Sequence, residues 1–481
     1  MTWESVIGLE THVELQTASK MFCGCPVDFG DDPNTATCPV CLALPGALPV
    51  VNEAAIEGIL SIGAALQCTL TESSLFYRKN YFYPDLPKNY QISQYTFPLC
   101  LGGHLDVDVN GTQTTVGITR VHMEEDTGKS LHVGASGRID AAEHTLLDFN
   151  RAGVPLVEIV TEPDIRSADQ ARAYGIELQR VIRSLGVSDA RLEEGSMRFD
   201  ANISIRPTGS SELGTRTEVK NVNSLRSLQR AIAFEIERQI GVLEDGGSVN
   251  QETRHWDEDQ GATVAMRSKE ESEDYRYFQE PDLLPLRVDA EWQERVHAAL
   301  PELPSAARAR FVATGVDVRT ADLLIDSEGL GALFDAAVAA GADARTAGIW
   351  LTGEVVAYLR REDVAAAETG LTANDLAELS AMTGDGRLSA TAAKEVLGAV
   401  LAGEGSPEAV AEVRDLIQVS DHGAIEDAVA AVITEHPDAF AKLADGDMKP
   451  IGFLVGQVMR STGGKADPRV VQEVLRHKAG L

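Results

Sequence analysis

The chain is poor in positive charge and in aromatic residues, and it has no long apolar run. Its 481 residues include 42 lysines and arginines against 74 aspartates and glutamates, a formal net charge of −32 at pH 7. Such a surface repels phosphates, so the composition excludes a protein that grips nucleic acid over its whole surface, although a local basic face stays open. No apolar stretch approaches the roughly 18 residues of a membrane span, and no membrane partner is expected.

The N-terminal segment lacks basic residues, and the chain has few cysteines. Residues Met1–Ser5 carry no basic segment of the kind that begins a secretory signal, so we expect a cytoplasmic protein. The chain has only six cysteines, and four of them fall between Cys23 and Cys41. In a reducing cytosol such a cluster favours a metal site over disulfides.

The cysteine cluster has the spacing of a structural zinc site. A CxC pair at Cys23–Cys25 is followed by a CxxC pair at Cys38–Cys41. Four thiolates leave no open coordination position, so Zn²⁺ here would stabilise the local fold and would not take part in catalysis. Unpaired buried thiols are the alternative. The predicted ligands are Cys23, Cys25, Cys38 and Cys41.

The pattern of predicted secondary structure changes near residue 290. Before it, β-like runs alternate with helical stretches, which predicts an α/β (α+β) domain. After it, Ala-rich amphipathic helices dominate, and Gly403–Pro407 has the composition of a linker. The predicted domains are residues 1–290, an all-α domain at 291–405 and a small all-α tail at 406–481. The predicted elements include the strands Val6–Leu9, Leu105–Val109, Val116–Val121 and Ala201–Ile205 and the helices Glu53–Leu66, Ala168–Leu185, Leu330–Ala340 and Ile349–Arg361.

One stretch, Arg78–Tyr95, is rich in aromatic residues although aromatics make up only 5% of the chain. Its apolar residues follow neither the helical nor the strand period, and Pro84 and Pro87 remove backbone donors and fix φ. The stretch therefore predicts a stiff, extended loop whose lysine, amide and tyrosine side chains suit phosphate or carboxyl oxygens. A surface loop with a Tyr/Pro cluster packed beneath it is the alternative.

Acidic residues and a histidine alternate along the predicted N-terminal strand. The strand period of two puts Glu10, His12 and Glu14 on one face. A second acidic cluster follows at His122–Asp126, and Glu158 interrupts an apolar run, where a carboxylate is costly to bury unless it is paired or binds a cation. Oxygen ligands with one histidine suit Mg²⁺ or Mn²⁺. A strand with one solvated polar face is the alternative.

The end of the chain differs in charge from the rest. Residues Gly446–Leu481 hold six lysines and arginines against three acidic residues, which is +3 in a chain of −32. A local basic face suits an anionic partner, although a solvated helix surface has the same composition.

Long, irregular polar segments are distributed over the whole chain. They are Val6–Leu15, Arg78–Gln94, Ile118–Lys129, Asp148–Asp164, Glu194–Ile203, Glu218–Ser224, Asp274–Asp282 and Gly452–Met459. In these segments the chain resembles the family of B subunits of the aspartyl/glutamyl-tRNA(Asn/Gln) amidotransferase.

The resemblance implies a ligase that acts on misacylated Glu-tRNA(Gln) or Asp-tRNA(Asn). Members of the family transfer the γ-phosphoryl group of ATP to the side-chain carboxylate and then amidate it with ammonia. The ammonia comes from glutamine hydrolysed in a partner amidase (A) subunit, and a small C subunit completes a heterotrimer. The implied domains are a catalytic cradle, a helical domain and a tRNA-binding tail, and the implied cofactors are ATP, Mg²⁺ and a structural Zn²⁺.

The resemblance also implies roles for particular residues. The implied Mg²⁺ ligands are Glu10, His12, Glu125 and Glu158, with Glu124 adjacent. The implied catalytic residues are Lys79, Lys88 and Glu125. The implied substrate and ATP pocket contains Arg198, Asp200, Asn202, Lys220, Asn221 and Asn223. The implied tRNA-binding residues are Lys449, Arg460, Lys465 and Arg469.

Two other readings compete with an active ligase subunit. A non-catalytic tRNA-binding scaffold would be favoured if Glu10, His12 or Glu125 were replaced, and none is. The archaeal relative specific for Glu-tRNA(Gln) usually carries an inserted domain, for which 481 residues leave no room. Both misacylated tRNAs stay candidate substrates.

Overall fold

The chain divides into two compact units, Met1–Pro304 and Ser305–Leu481, in its computed structural model. The structure describes residues 2–28, 30–134, 142–266, 275–418, 422–463 and 466–481. Strands and helices mix in the first unit, whereas the described elements of the second unit are helices. The predicted fold class, an α/β (α+β) N-terminal part followed by an all-α part, is confirmed.

The first unit is built on one large sheet with short hairpins beside it. Its strands are β1 Trp3–Glu14, β2 Thr69–Leu70, β3 Ser73–Ser74, β4 Tyr77–Asn80, β5 Tyr90–Ser93, β6 Cys100–Leu101, β7 His104–Val109, β8 Thr112–Glu125, β9 Lys129–Gly134, β10 Ala142–Asp148, β11 Pro155–Thr161, β12 Met197–Pro207, β13 Thr217–Val222, β14 Thr253–Asp257, β15 Ala262–Ala265, β16 Phe278–Gln279 and β17 Leu286–Arg287. Its helices are α1 Glu53–Ala65, α2 Ala168–Ser184, α3 Leu225–Glu244 and α4 Ala290–Ala299.

The strand order of the large sheet is β15-β14-β13-β12-β1-β11-β8-β6-β2, and β7 pairs with β8 at the side. The long strand β1 lies near the middle and is antiparallel to both β11 and β12. Side chains alternate along it: Leu9 and Val13 are buried in the hydrophobic core, while Glu10 and His12 lie on the other face. One face of the sheet is therefore apolar and the other polar.

Helices α1, α2 and α3 cover the apolar face. Each begins at a side chain that caps the free backbone N–H groups: Asn52 for α1, Ser167 for α2 and Ser224 for α3. Their apolar residues join those of the sheet in one core, which leaves the opposite, polar face available for a site.

The second unit is helical. Its helices are α5 Pro304–Ala313, α6 Val318–Asp326, α7 Leu330–Ala339, α8 Ala344–Trp350, α9 Val356–Glu362, α10 Ala373–Gly384, α11 Ala390–Leu401, α12 Pro407–Val413, α13 His422–Glu435, α14 Pro437–Ala444, α15 Ile451–Ser461 and α16 Pro468–Ala479. A π-helical turn, Leu351–Val355, joins α8 to α9, and Ala366–Glu368 is a short 3-10 helix. Two hydrophobic cores form, one from α5 to α12 and one from α13 to α16.

The four predicted strands occur and are longer than predicted, and three predicted helices each end one residue earlier. The predicted helix Ile349–Arg361 is divided among the end of α8, the π-helical turn and α9. The Arg78–Tyr95 prediction needs a correction, because its two ends are the paired strands β4 and β5 and only the middle is a loop. The strands are four residues each, too short to show a period-two pattern in the sequence.

The predicted linker connects α11 to α12, with Ser406 capping α12. Val410 and Ala411 of α12 are buried in the same core as Val396 of α11, so this core continues past residue 405. The boundaries of the three predicted domains stay predictions. Among the described residues, the structure contains no helix long and apolar enough to cross a membrane.

Candidate active site

One face of the large sheet brings together a histidine and carboxylates from three neighbouring strands. The register pairs His12 of β1 with Glu158 of β11, and Glu158 with His122 of β8. His12 Nε2 lies 3.6 Å from Glu158 Oε2, and His122 Nε2 lies 3.7 Å from the same oxygen. His12, Glu124 and Glu158 each offer a ligand atom within 4.8 Å of the others, and we call these three residues the histidine–carboxylate group.

Lys79 of β4 places a positive charge beside this group. Burial opposes ionisation of Glu124, but the charge of Lys79 holds the pKa of Glu124 below its usual range. Burial likewise opposes ionisation of Glu158, but His122 and His12 lower its pKa. The pKa of Lys79 rises, because Glu124 and Glu158 outweigh the effect of burial. Both carboxylates are therefore ionised at neutral pH.

The histidine–carboxylate group has the ligand chemistry of a divalent cation site. Two carboxylates and one imidazole suit Mg²⁺ or Mn²⁺. Burial would lower the pKa of His12, but its hydrogen bond with Glu158 raises it. Both ring nitrogens of His122 are buried and make no hydrogen bond within the described residues. Ionised carboxylates this close together are costly to bury without a cation, so the residues fit such an ion.

A second acidic group lies on the same face, toward β12 and β13. Glu10, Asp200 and Glu218 offer ligand atoms within 4.8 Å of one another. Asn202 Nδ2 donates to Glu10 Oε1 at 2.9 Å, and Lys220 Nζ lies 3.0 Å from Glu218 Oε1. Burial and the charge of nearby carboxylates raise the pKa of Glu10. Glu10 was predicted as a ligand with His12, and the structure places it in this separate group.

Glu125 faces away from the histidine–carboxylate group. Both of its carboxylate oxygens accept hydrogen bonds from Lys88 Nζ, and Ile92 N donates to Oε1 at 2.9 Å. Gln91 Nε2 fixes the neighbouring backbone by donating to the Glu125 carbonyl at 2.7 Å and to Glu124 Oε2 at 3.1 Å. Successive side chains of β8 point to opposite faces, so Glu124 and Glu125 contact different groups of residues.

The Lys88–Glu125 pair lines a cavity of about 180 Å³. Phe22, Cys23 and Cys41 line the same cavity, so the cysteine loop forms one of its walls. Lys79 and Lys88 were predicted together as catalytic residues, and the hairpin separates them: Lys79 neighbours Glu124, and Lys88 is bound to Glu125.

Glu14, near the end of β1, forms an acid pair with the buried Asp126. Arg198 donates to Asp126 Oδ2 at 2.9 Å, and Arg151 Nε lies 3.7 Å from the same oxygen. Burial opposes ionisation of Asp126, but the two arginines lower its pKa to about 2. Burial and the charge of Asp126 raise the pKa of Glu14 to about 8. Arg198, predicted for the substrate pocket, is thus held by Asp126.

The other predicted pocket residues lie on or beside β12 and β13. Asp200 and Asn202 are on β12, where Asn202 contacts Glu10. Lys220 and Asn221 are on β13, and Asn223 is exposed between β13 and α3. Asp200, Asn202 and Lys220 come together around the second acidic group.

The four predicted zinc ligands converge. Cys23, Cys25, Cys38 and Cys41 each place a sulfur within 4.8 Å of the others. The backbone N–H of Cys38 donates to Cys41 Sγ at 3.1 Å, and the hydrogen bond from Cys23 lowers the pKa of Cys41 to about 5. Lys20 is fully buried nearby and donates to the carbonyls of Ala36 and Phe149. This donor set fits a closed tetrahedral Zn²⁺ site.

The predicted tRNA-binding residues lie in the last helices. Lys449 precedes α15, Arg460 is in its last turn, and Arg469 is in the first turn of α16. All three are exposed. Lys465 lies outside the described residues, as does Asp274 of the segment Asp274–Asp282.

Sequence reasoning missed several residues of this face. Glu218 was not predicted as a ligand, although its alternation with Lys220 along a short strand is a signal of one polar face. His122 and Asp126 flank the predicted Glu124–Glu125 pair without having been assigned a role. Gln91 was predicted only as one of the amide donors of Arg78–Tyr95, and its contact with Glu124 could not be predicted because it joins distant strands.

Comparison with known proteins defines the class first. Residues 5–294 match the family described as the GatB/GatE catalytic domain. Residues 332–478 match the family described as the GatB domain. The sheet that carries the histidine–carboxylate group therefore lies within a catalytic domain of this class.

Individual relatives narrow the class. The chain is 52% identical over 486 residues to the B subunit of the aspartyl/glutamyl-tRNA(Asn/Gln) amidotransferase from Frankia casuarinae, an alignment that covers 100% of the chain and 96% of the relative. It is 50% identical over 491 residues to the protein of that name from Thermobifida fusca, covering 100% and 94%. The relative from Moorella thermoacetica is 48% identical over 480 residues, covering 99% and 100%. The chain belongs to the family of aspartyl/glutamyl-tRNA(Asn/Gln) amidotransferase B subunits, which confirms the resemblance seen in the sequence.

Proposed function

We propose that this chain phosphorylates the side-chain carboxylate of Glu-tRNA(Gln) or Asp-tRNA(Asn) with ATP and amidates the product. It is then a ligase that forms a C–N bond with glutamine as the amide donor. The observation that carries the proposal is the histidine–carboxylate group with Lys79 beside it, on the open polar face of a catalytic-domain sheet. Fixed cationic and metal-binding groups in one place are what phosphoryl transfer requires.

His12, Glu124 and Glu158 are the proposed Mg²⁺ ligands. Glu10 belongs with Asp200 and Glu218 in the second acidic group, which could hold a further cation next to the first. Mg²⁺ bound here would neutralise charge on the transferred phosphoryl group. Lys79 is proposed to donate to the oxygens of the same phosphoryl group, and the nearby Glu124 favours its charged form.

ATP and the amino acid are proposed to bind along the β12–β13 side of this face. Lys220 and Asn202 border the second acidic group and present N–H donors toward it. Their charge and hydrogen-bonding capacity suit phosphate oxygens. The proposed pocket residues are Arg198, Asp200, Asn202, Lys220, Asn221 and Asn223.

The Lys88–Glu125 pair is proposed to act in the second half of the reaction. Ammonia attacks the carbonyl carbon of the acyl phosphate, the C–O bond to phosphate breaks, and the new amide nitrogen must lose a proton. Glu125 is an acceptor for that proton at the wall of the cavity that Lys88 also lines. Lys88 donates to both carboxylate oxygens of Glu125 and is proposed to position this proton acceptor.

The remaining proposals concern assembly. An amidase (A) subunit would supply ammonia and a small C subunit would complete a heterotrimer that works in the cytoplasm with tRNA. Within the chain, residues 1–290 form the proposed catalytic cradle, 291–405 the helical domain and 406–481 the tRNA-binding tail. The converging cysteines support a structural Zn²⁺.

Reconstitution tests the proposal directly. The chain is combined with the A and C subunits of the same organism and given ATP, Mg²⁺, glutamine and each misacylated tRNA in turn. We expect ATP-dependent formation of Gln-tRNA(Gln), Asn-tRNA(Asn) or both, and loss of both products when His12→Ala replaces the wild-type chain. Glutaminase activity of the assembled variant shows that assembly is intact. Amidation by the His12→Ala variant at the wild-type rate would refute the site.

A further inference from the structure

The long strand β1 contains one glycine, Gly8, in its interior. Glycine weakens a strand, and inside one it marks a bulge, a bend or a place where a ligand or another backbone approaches closely. No bulge is present at this glycine, because β1 pairs with β12 residue by residue from Trp3 to Val13. No described backbone crowds it, because an added Cβ would lie 3.8 Å from its nearest neighbour, the Cα of Pro163. Close approach of a ligand is the explanation that remains.

A cavity of about 250 Å³ is lined by Gly8 and its neighbours, and we call it the Gly8 cavity. Because side chains alternate along β1, Gly8 shares the polar face of the sheet with Glu10 and His12. The lining combines apolar and polar side chains, among them Val6, Val160, Leu213, Glu10, Asn202 and Ser204. A concave, partly apolar site with a few polar groups is typical of places that bind small organic molecules.

Leu213 gives the Gly8 cavity an apolar surface that the protein leaves uncovered. Its side chain is 63% exposed although it lines the cavity. The next residue, Gly214, lies against β12, where an added Cβ would come within 2.1 Å of the carbonyl oxygen of Ile205. This close approach of the two backbones holds the segment that carries Leu213 beside the cavity. The exposed leucine can therefore contact a planar, weakly polar occupant without a rearrangement of the sheet.

Strand β1 sets the distance between the Gly8 cavity and the histidine–carboxylate group. From Gly8 to His12 an antiparallel strand extends about 13 Å. A ribose and a chain of three phosphates can span that distance. The second acidic group lies between the two places, because Glu10 belongs to it, and Lys220 Nζ lies 3.0 Å from its member Glu218. A triphosphate needs cationic partners along its length, and a lysine beside a candidate cation site provides them.

We propose that the Gly8 cavity is the subsite for the nucleobase of ATP. The inference rests on the proposed function, since it is that reaction which brings ATP to this face. The base lies over Gly8, where any larger side chain would take its space, and contacts Val6 and Leu213. The triphosphate then follows β1 past the second acidic group and Lys220, so that the γ-phosphoryl group reaches the histidine–carboxylate group. The subsite thereby sets the direction in which ATP lies on the sheet.

The experiment fills the cavity with Gly8→Val in the reconstituted complex. The fold tolerates the new Cβ, and valine suits a strand. Equilibrium dialysis should show a Kd for ATP raised about 5- to 100-fold, because the valine occupies the place of the base. Tripolyphosphate, which has the phosphates but no base, should bind the wild type and Gly8→Val with the same Kd. Leu213→Ala, which removes an apolar contact, should raise the Kd for ATP about 3- to 20-fold.

The matched control is Gly241→Val on α3. Gly241 is exposed, and an added Cβ there would meet no described atom within 4 Å. This variant should bind ATP and tripolyphosphate as the wild type does. In amidation, Gly8→Val should raise KM for ATP in step with its Kd and leave KM for the aminoacyl-tRNA unchanged, because only the base of ATP loses its place.

Three results would overturn the inference. An unchanged Kd for ATP in Gly8→Val would show that the base binds elsewhere, and equal weakening of ATP and tripolyphosphate would show that the valine disturbs the phosphates. A raised KM for the aminoacyl-tRNA with an unchanged KM for ATP would assign the cavity to the terminal nucleoside of the tRNA. Failure of the proposed function is distinguishable, because the dialysis needs no amidation. An amidating wild type whose Gly8→Val variant binds ATP equally well would reject the subsite alone.

Discussion

At the residue scale, the adjacent glutamates Glu124 and Glu125 of β8 belong to different groups of contacting residues. Glu124 lies with His12 and Glu158, whereas Glu125 is bound by Lys88 on the opposite face. The sequence could predict an acidic pair here, but a one-residue shift reverses the face of a strand side chain, so it could not decide which glutamate meets His12. The decision depends on the register with β11, which pairs Glu124 with Leu156.

The two glutamates should therefore differ in their Mg²⁺ dependence. Glu124→Gln removes a charged ligand, so the Mg²⁺ concentration for half-maximal amidation should rise at least about tenfold. Glu125→Gln keeps the histidine–carboxylate group and should lower kcat with little change in that concentration. Titrating amidation with Mg²⁺ for both variants gives the comparison. A larger Mg²⁺ requirement for Glu125→Gln than for Glu124→Gln would contradict the assignment.

A second residue-scale prediction concerns the pair Glu14 and Asp126. The pKa of Glu14 rises from 4.5 to about 8, so the folded chain holds a proton there that the unfolded chain releases above about pH 4.5. The unfolded state then binds fewer protons, and stability should fall as pH rises through that window, by at most about 1.4 kcal/mol per pH unit from this group. Asp126, with a pKa of about 2, loses its contribution only at lower pH.

Glu14→Gln tests that sign, because glutamine stays neutral. Urea unfolding at pH 5, 6.5 and 8 should show a steeper fall in the free energy of unfolding for the wild type than for Glu14→Gln. Glu212, an exposed glutamate of the same unit, provides the control variant Glu212→Gln, whose pH dependence should match the wild type. Equal slopes for all three chains would refute the raised pKa.

At the scale of elements, the hairpin β4–β5 and the cysteine loop form the surroundings of Lys88. The aromatic and proline content of Arg78–Tyr95 predicted a binding segment, and that segment supplies Gln91 to Glu124 and Lys88 to Glu125. What the sequence could not predict is the antiparallel pairing that directs Lys79 and Lys88 to different places. The cysteine spacing, by contrast, is local and predicted the convergence of four sulfurs directly.

Because the cysteine loop forms one wall of the Lys88 cavity, bound metal should stabilise that wall. We expect about one Zn²⁺ per chain, and Cys38→Ser or Cys41→Ser should abolish it and lower the thermal midpoint of the first unit. Cys68→Ser, at a buried cysteine outside the cluster, should keep the metal. Metal analysis and thermal unfolding measure both effects. Wild-type chain free of zinc after purification in zinc-containing medium would contradict the site.

At the scale of the whole molecule, the acidic net charge and the hydrophobic core of the last helices both determine how tRNA binding can be tested. The excess of acidic residues repels tRNA, so the exposed basic residues of the last helices carry a larger share of any attraction. Deletion of Gly446–Leu481 would remove these basic residues. The structure shows that α15 and α16 share one core with α13, through Val429, Leu454 and Leu475, so deletion would expose apolar surface.

Charge neutralisation leaves that core intact and is the sharper test. The triple variant Lys449→Gln, Arg460→Gln and Arg469→Gln should weaken tRNA binding and reduce the slope of log Kd against log salt by up to about one for each phosphate that the variant no longer neutralises. The reason is that each neutralised phosphate releases a counterion from the tRNA, whereas a general loss of folding would change affinity without changing this slope. Arg310, Arg361 and Arg387 of the same unit pair with acidic residues, so their triple glutamine variant is the matched control and should keep the slope. If both triple variants reduce the slope equally, the attraction comes from the overall charge of the unit and not from its last helices.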